Sequence, residues 1–157
     1  MESILAKAKK VADVAEVFAV SSEETHVSFE TNRLKHLQTK QQTSVALRVI
    51  RQGKIGYATS TNLASSDELV KNAVETAQFG MTARFELPGS SSYPQIEIMD
   101  EKVESVSTEA MIKLGEELIA TVTRHTPGII CEAGVTKGTV SVSIMNSRGG
   151  QLDYRKS

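Results

Sequence analysis

Two stretches of the chain place apolar residues at the three- and four-residue spacing of an amphipathic helix. The first covers residues 2–14, and its stripe is formed by Ile4, Leu5, Ala8, Val11, Ala12 and Ala15. The second covers residues 66–79, where Ser65 and Glu68 predict a capping box and Gly80 suits the C′ position. The spacing therefore predicts helices over both ranges.

A third periodic stretch starts at a cap provided by Ser107 or Thr108 and ends before Pro127-Gly128. Its spacing separates an apolar face from a charged one. The face expected to point inward contains Met111, Leu114, Leu118 and Val122. The face expected to point outward contains Glu109, Lys113, Glu117 and Arg124.

Between the helices the pattern changes to short runs rich in β-branched residues. These runs predict strands over 16–20, 25–31, 34–41, 43–51, 54–60, 128–136 and 139–146. Gln52-Gly53 predicts a tight hairpin turn because glycine tolerates the second loop position, and Lys137-Gly138 predicts the tip of another hairpin. Strand 43–51 is apolar on both faces, so we expect it to lie centrally in an antiparallel meander that helices cover.

The order helix, strand, turn, strand occurs twice, which indicates an internal repeat. Residues 27–34 read Val-Ser-Phe-Glu-Thr-Asn-Arg-Leu, and residues 142–149 read Val-Ser-Ile-Met-Asn-Ser-Arg-Gly. Chance similarity between short β motifs is the alternative explanation. The second copy lacks a counterpart of strand 43–51, and a sheet abandoned there would leave an unpaired edge. The chain is therefore expected to be a fragment of a longer protein.

The predicted fold class is α+β, with two helix-plus-antiparallel-sheet repeats of which the second is incomplete. We expect the first repeat to cover residues 1–83 and the partial second repeat to cover residues 101–157. Residues 84–100 contain prolines, a glycine and several serines, so they are predicted to form a linker.

Composition limits the classes of function. The 157 residues suffice for one domain with a real core, and a net charge of −1 gives no general preference for polyanions. A single cysteine, Cys131, rules out an intramolecular disulfide and is typical of a reduced compartment. No signal peptide and no apolar run near the ~20 residues of a membrane span are found. We expect a cytoplasmic protein without membrane contact.

Candidate catalytic residues are few. The histidines at positions 26, 36 and 125 are too far apart in sequence for a metal-binding helix motif. His125, Cys131 and Glu132 could approach one another, but a histidine at a helix end and a small buried thiol are the favoured interpretation. No phosphate-binding loop, dinucleotide fingerprint or nucleophile elbow is present. We expect no catalytic, cofactor-binding or metal-ligating residue in this chain.

Basic residues are concentrated in the meander, which raises the question of nucleic acid. They are Arg33, Lys35, Lys40, Arg48, Arg51 and Lys54. The chain has no tryptophan and only 4% aromatic residues, whereas single-strand binders use aromatic stacking platforms. Direct nucleic-acid binding is therefore not expected.

Several segments, taken in order, resemble the N-terminal domain of the TldD/PmbA family, also called modulator of DNA gyrase. They are Ala15 to Ser21, Val27 to Glu30, Val45 to Ile50, Gly53 to Ala58, Ser60 to Leu63, the helix from Glu68 to Ala77, and Met145 to Gly149 followed by Tyr154. The order and spacing of the set carry the resemblance, and Ser60-Thr61-Asn62-Leu63 is closer to the PmbA type.

The resemblance implies a bacterial cytoplasmic zinc metalloprotease system in which two related subunits pair around a cavity and cut unfolded or extended peptides. Its zinc motif, a His-Glu-x-x-x-His helix with a cysteine ligand, belongs to the C-terminal half of the catalytic subunit, and no position here matches it. This chain is expected to be a non-catalytic scaffold and substrate-cavity domain, with exposed strand edges along 25–41 or 139–146 able to accept a peptide. A standalone protein-binding adaptor of the gyrase-modulator type is the alternative.

Overall fold

The structure is a computed structural model, and it describes residues 1–62, 64–94 and 96–157. Four helices and five strands are formed by these ranges. In chain order they are α1 (Glu2–Ala8), β1 (Val14–Glu30), β2 (Arg33–Arg51), β3 (Lys54–Ser60), α2 (Ser66–Ala77), α3 (Glu101–Ser105), α4 (Thr108–His125), β4 (Ala133–Asn146) and β5 (Gln151–Lys156). The strands form one sheet in the order β3-β2-β1-β4-β5, which confirms the predicted α+β class.

The strands are fewer and longer than predicted. Predicted strands 16–20 and 25–31 merge into β1, those at 34–41 and 43–51 merge into β2, and the last two merge into β4, which starts at Ala133 rather than at residue 128. The polar residues read as interruptions form cross-strand pairs instead: Thr25 Oγ1 lies 3.0 Å from Thr39 Oγ1. The predicted turn at Lys137-Gly138 is wrong. Gly138 lies inside β4, where a Cβ atom would be only 3.3 Å from the Glu23 carbonyl oxygen.

Two tight turns connect the first three strands. The predicted turn at Gln52-Gly53 is confirmed, with φ angles of 52° and 73° and Arg51 paired with Lys54. Positive φ at both central residues is the requirement of a type I′ turn. Thr31 and Asn32 also have positive φ, 53° and 66°, although neither is glycine. The sequence pattern missed this turn because Thr-Asn is a weaker turn signal than a pair that contains glycine, such as Gln52-Gly53.

Helix α1 ends at Ala8, six residues before the predicted end, because the chain leaves the helix through a turn at Lys9 and enters β1 at Val14. Helix α2 is confirmed at Ser66–Ala77, but its capping box is not formed, since the Ser65 side chain makes no cap hydrogen bond. Gly80 does not have the positive φ of a C′ glycine. A side chain at Gly80 would overlap the Ile55 carbonyl, so the residue serves a close approach to β3.

Helix α4 has the predicted bounds, and Ser107 Oγ caps it by accepting a hydrogen bond from the Ala110 amide. The predicted inward face is wrong for three of its four residues. Of the four predicted residues, only Met111 is buried, and Leu114, Leu118 and Val122 are 56%, 51% and 37% exposed. The other buried residues of the helix are Gly115 and Ile119. Within the described ranges, no helix is both long enough and apolar enough to cross a membrane.

The chain forms two compact units that interleave along the sequence. Unit 1 contains residues 1–21, 42–97 and 141–154, and unit 2 contains residues 22–41, 98–140 and 155–157. Strands β1, β2, β4 and β5 contribute residues to both. The predicted boundaries of the repeats concern sequence similarity and remain a prediction.

Unit 1 has a large core in which helices α1 and α2 cover one sheet face. As predicted, Val45, Leu47 and Val49 share that face, and each is at most 1% exposed. The full buried cluster is Ile4, Leu5, Ala8, Ala15, Val17, Val45, Leu47, Val49, Leu69, Val70, Ala73 and Ala77.

Unit 2 has a much smaller core, formed by α4 and strand residues. Its buried members are Val27, Phe29, Met111 and Ile119. Gly115 permits the contact between helix and strand, because a Cβ atom there would overlap the Phe29 ring. This packing fixes the buried face of α4.

Candidate functional site

A hydrogen-bonded polar site in unit 1 is the turn from Asn146 to Gly150, which includes the Asn-Ser-Arg-Gly segment on which the family resemblance partly rests. The Asn146 side chain is buried and makes three hydrogen bonds. Its Oδ1 accepts from the Arg148 amide at 2.9 Å and the Gly150 amide at 3.0 Å, and its Nδ2 donates to the Pro88 carbonyl at 3.0 Å. Asn146 therefore shapes the turn and holds residue 88 against it.

The predicted linker packs on the same turn. Gly89 forms a bridge with Gly149, Arg148 makes an ion pair with Glu86 at 2.5 Å, and Leu87 is only 4% exposed. Residues 86–89 thus belong to unit 1 and carry a buried apolar anchor. Pro88-Gly89, read from sequence as a turn signal, lies at this contact.

Ser147 fastens the turn to the start of β1 through two hydrogen bonds. Its amide donates to the Ala15 carbonyl at 2.8 Å, and its Oγ accepts from the Ala15 amide at 3.0 Å. Both main-chain polar groups of Ala15 are used, so this buried residue is satisfied.

The same arrangement occurs in unit 2 around Asn32. Its amide donates to the Cys131 carbonyl at 3.2 Å, and its Oδ1 accepts from the Cys131 amide at 2.7 Å. The Asn32 Nδ2 also donates to the Ile129 carbonyl at 2.8 Å. The repeat alignment places Asn32 opposite Ser147, so equivalent positions make equivalent contacts. We call these two sites the Asn32 clamp and the Ser147 clamp.

Sequence reasoning did not identify either clamp. A signal was available, since both clamp residues are polar side chains with an oxygen acceptor at one position of the repeat. Their partners left no signal, because Ala15 and Cys131 take part through main-chain atoms only.

The titratable residues weighed as catalytic candidates do not assemble into a site. Cys131 is half-buried and packs against the unit 2 core, while His125 and Glu132 are exposed. His125 Nδ1 lies 3.1 Å from Thr126 Oγ1, and His26 Nδ1 lies 2.7 Å from Thr136 Oγ1. Across the described ranges, no three His, Cys, Asp or Glu residues are grouped so that they could hold a metal. These residues do not fit a zinc ion.

One shifted pKa is found on α4. The Glu109 backbone amide and the Ser107 side chain both hydrogen-bond the Glu109 carboxylate and lower its pKa below the ordinary 4.5. Glu109 is exposed at the first turn of the helix, where negative charge is favoured. The shift therefore reports helix capping.

The basic residues of the meander have several partners. Arg48 makes an ion pair with Glu16 at 2.5 Å and lies 5.1 Å from the centre of the Phe85 ring, and Lys54 donates to the Gln78 carbonyl at 2.9 Å. Register pairing places Arg48 opposite Tyr57, which is 68% exposed. These contacts occupy the charges of Arg48 and Lys54 within unit 1.

An open strand edge lies in unit 2. Strand β3 pairs with β2 only from Val45 to Arg51, and in the described part of the chain no strand pairs with residues 33–44 on that side. Every residue from 33 to 42 is exposed. The expectation of an edge along 25–30 or 139–146 is wrong, because β1 lies between β2 and β4 and β4 lies between β1 and β5. Among the predicted edges, the stretch 33–42 is the one that has no neighbouring strand on one side in the described part of the chain. We call this stretch the β2 edge.

Comparison with known proteins identifies the fold. Residues 15–77 match the family described as PmbA/TldA metallopeptidase domain 1. No curated protein sequence matches the chain. The segment Ser60 to Leu63, used for the PmbA-type assignment, includes residue 63, which lies outside the described residues.

Solved structures match almost the whole chain. A candidate modulator of a DNA gyrase from Thermotoga maritima superposes with a TM-score of 0.87 at 15% identity, over 99% of this chain and 36% of that one. TldE from Thermococcus kodakarensis has a TM-score of 0.84 at 18% identity, over 99% and 36%. A candidate modulator of DNA gyrase from Bacteroides thetaiotaomicron has a TM-score of 0.80 at 16% identity, over 98% and 37%.

At these identities the structures establish the fold alone, and this chain spans about a third of the length of each one. The family match covers β1 to α2, the part of the chain that contains most of the segments singled out from sequence. The resemblance predicted from the sequence is confirmed to this extent: residues 15–77 match the first domain of the PmbA/TldD family, and almost the whole chain has the fold of these structures.

Proposed function

We propose that this chain is the scaffold and substrate-cavity domain of a PmbA/TldD-type peptidase system that acts on unfolded or extended peptides. The observation that carries the proposal is the match of residues 15–77 to a metallopeptidase first domain. The domain acts without catalytic residues of its own and pairs with a second subunit of the same family. Zinc, where the system uses it, is bound by another part of the protein.

The β2 edge supports a peptide-binding role. An unpaired strand offers main-chain N–H and C=O groups in a row, and an extended peptide can pair with them without a specific sequence. The side chains from Arg33 to Gln42 are exposed, so they leave room for a peptide along the strand. A system that takes varied unfolded peptides requires this kind of recognition.

Two N-methylated peptides test strand addition. Both are extended twelve-residue peptides of one sequence; the first is methylated at alternate amides and the second at every amide. Because successive amides of a strand point to opposite edges, the first peptide keeps one edge of free N–H groups that can face β2, and the second keeps none. We expect only the first peptide to shift the amide signals of residues 33–42 in NMR spectra. Equal binding by both peptides, or by neither, would exclude strand addition at this edge.

Sequencing the native reading frame past Ser157 tests the peptidase assignment itself. Continuation into a His-Glu-x-x-x-His helix would make the parent a zinc peptidase, and continuation without that motif would indicate a non-catalytic partner subunit. A stop codon at Ser157 would contradict the peptidase assignment for this chain.

A standalone adaptor is the second candidate function, favoured by the gyrase-modulator names of two structural relatives. It predicts that the chain alone alters DNA supercoiling by purified gyrase. The peptidase proposal expects no such effect at any concentration of the chain.

A further inference from the structure

The β2 edge carries positive charge without any acidic residue. Arg33, Lys35 and Lys40 lie within it, and no aspartate or glutamate occurs anywhere between Glu30 and Asp67. In the chain as a whole, by contrast, nineteen acidic residues slightly outnumber eighteen lysines and arginines. The unpaired edge is therefore the site of a local excess of cations.

Two of the three cations have no acidic partner. Within the described residues, Arg33 and Lys40 form no ion pair. Lys35 has one distant contact, 3.9 Å from its Nζ to Glu30 Oε2, between side chains that are both half exposed. An exposed pair of this kind is weak. The charge on the edge is therefore available to a ligand.

The acidic residues of β1 lie on the far side of β2 from the open edge. Strand β1 carries Glu23, Glu24 and Glu30, and β2 separates it from any strand added at the edge. Neighbouring strands are about 4.8 Å apart, so the backbone of an added strand would lie about two such spacings from β1. The three cations of β2 are closer, and they set the charge that a ligand of this edge meets.

The other side chains of the edge favour a peptide over a nucleic acid. No aromatic residue occurs from 33 to 42, so the edge offers no ring on which a base could stack. Leu34 and Leu37 are 46% and 47% exposed, and they offer apolar contacts to the side chains of an adjacent strand. Because the main-chain groups of the edge also suit an extended peptide, an acidic peptide is the negative ligand that fits best.

We propose that the β2 edge selects acidic segments, so that extended peptides rich in aspartate and glutamate are the preferred partners of this site. This inference rests on the proposed peptide-binding function and adds a charge preference to it. Main-chain pairing supplies contacts that every extended peptide can make. Carboxylates beside Arg33, Lys35 and Lys40 distinguish one peptide from another, because complementary charge contributes specificity.

Three twelve-residue peptides test the preference. They share one extended sequence and differ only at four positions, which carry glutamate, glutamine or lysine; glutamine has the shape of glutamate without its charge. At about 0.01 M salt we expect the glutamate peptide to bind the chain about tenfold more tightly than the glutamine peptide and to shift the amide NMR signals of residues 33–42. At about 1 M salt, where the Debye length falls to about 3 Å, the two should bind alike.

Charge reversal provides matched variants. Arg33→Glu combined with Lys40→Glu places two carboxylates at exposed positions of the edge, so this double variant should bind the lysine peptide more tightly than the glutamate peptide. Lys71→Glu combined with Lys113→Glu changes the net charge by the same amount at exposed sites on α2 and α4, and it should keep the preference for glutamate. Thermal unfolding checks that both double variants remain folded.

Four outcomes would overturn the proposal. Equal binding of all three peptides, with shifts at residues 33–42, would leave peptide binding at the edge intact and remove its charge preference. Binding by none of them would contradict both the preference and the strand addition on which it rests. A glutamate preference that survives charge reversal at the edge would assign it to another surface. Equally tight binding of a single-stranded twelve-nucleotide oligothymidylate at residues 33–42 would mean that the edge attracts polyanions in general.

Discussion

Units 1 and 2 use the same clamp but differ in how completely their helices are covered. In each unit, a turn residue with an oxygen acceptor makes a reciprocal pair of hydrogen bonds with the residue where the chain approaches a strand, Ala15 in unit 1 and Cys131 in unit 2. Unit 1 adds β3 and α2, and twelve of its described residues are buried in one cluster, whereas four described residues of unit 2 are. The comparison shows that local hydrogen bonding can be conserved within a fold while the core around it is not.

This difference bears on function because stability is not uniform within a protein, and binding surfaces are drawn from its less stable parts. The β2 edge, apart from Gln42, and the exposed apolar residues Leu114, Leu118 and Val122 of α4 all lie in unit 2. Unit 1 is therefore expected to provide rigidity, and unit 2 the surfaces that remain available.

The largest expected effect is in the unit 1 core. Leu47→Ala removes a fully buried side chain from the twelve-residue cluster and should cost about 3–5 kcal/mol of unfolding free energy. Met111→Ala, at an equally buried site in the smaller core, should cost about 2–3 kcal/mol, because fewer neighbours surround the cavity. Urea denaturation of both variants measures the difference. A larger loss for Met111→Ala would refute the ranking of the two cores.

Neighbouring residues of α4 provide a sharper test of which face is buried. Ile119→Ala should cost about 2–3 kcal/mol, whereas Leu118→Ala should change stability by less than ~0.5 kcal/mol, since its side chain is half exposed. Thermal and urea unfolding of the two single variants suffice. Comparable losses would mean that the Leu118 side chain is already covered within the chain.

The asparagine side chains of the two turns, Asn146 in unit 1 and Asn32 in unit 2, come next in expected size. Asn146→Ala leaves the Pro88 carbonyl and two amides without their partner in a buried turn, so it should cost about 2–3 kcal/mol. Asn32→Ala removes two side-chain hydrogen bonds at a less buried turn and should cost about 1–2 kcal/mol.

Two variants separate the contributions at Asn32. Asn32→Gly accepts the positive φ but makes no side-chain bond, and Asn32→Asp keeps the acceptor for Cys131 but loses the donor to Ile129. We expect stability to fall in the order Asn, Asp, Gly, Ala. A glycine variant as stable as the native protein would show that φ alone matters.

The smallest effect is the pH dependence from Glu109. Because hydrogen bonds from the backbone and Ser107 lower its pKa in the folded state, it stabilises the protein above the ordinary pKa of 4.5, and this contribution is lost as pH falls through the lower folded value. Glu109→Gln should therefore reduce the acid-side slope of stability below about pH 4.5 and leave the slope near pH 7 unchanged. Unfolding curves between pH 3 and pH 7 measure it; an altered slope near neutrality would contradict this origin.

Sequence patterns were most accurate where a local signal decides the structure. Helix α2, the bounds of α4, strand β3 and the Gln52-Gly53 turn follow from spacing, capping residues and a glycine that accepts positive φ. The order of these elements, with the Asn-Ser-Arg-Gly turn, was also sufficient to indicate the family. The breaks predicted within β1, β2 and β4 were wrong because polar residues interrupt an apolar pattern without interrupting strand pairing.

The sequence by itself determined the α+β class, the ranges of α2 and α4 and the resemblance to the first domain of the PmbA/TldD family, because these depend on periodicity and order along the chain. Only the tertiary structure decided which face of α4 is buried, since Leu118 and Ile119 are equally apolar and the choice depends on the fit of Phe29 against Gly115. The clamps were likewise a tertiary outcome. Their partners are main-chain groups of Ala15 and Cys131, and a main-chain group has no sequence signature until the fold brings a side chain to it.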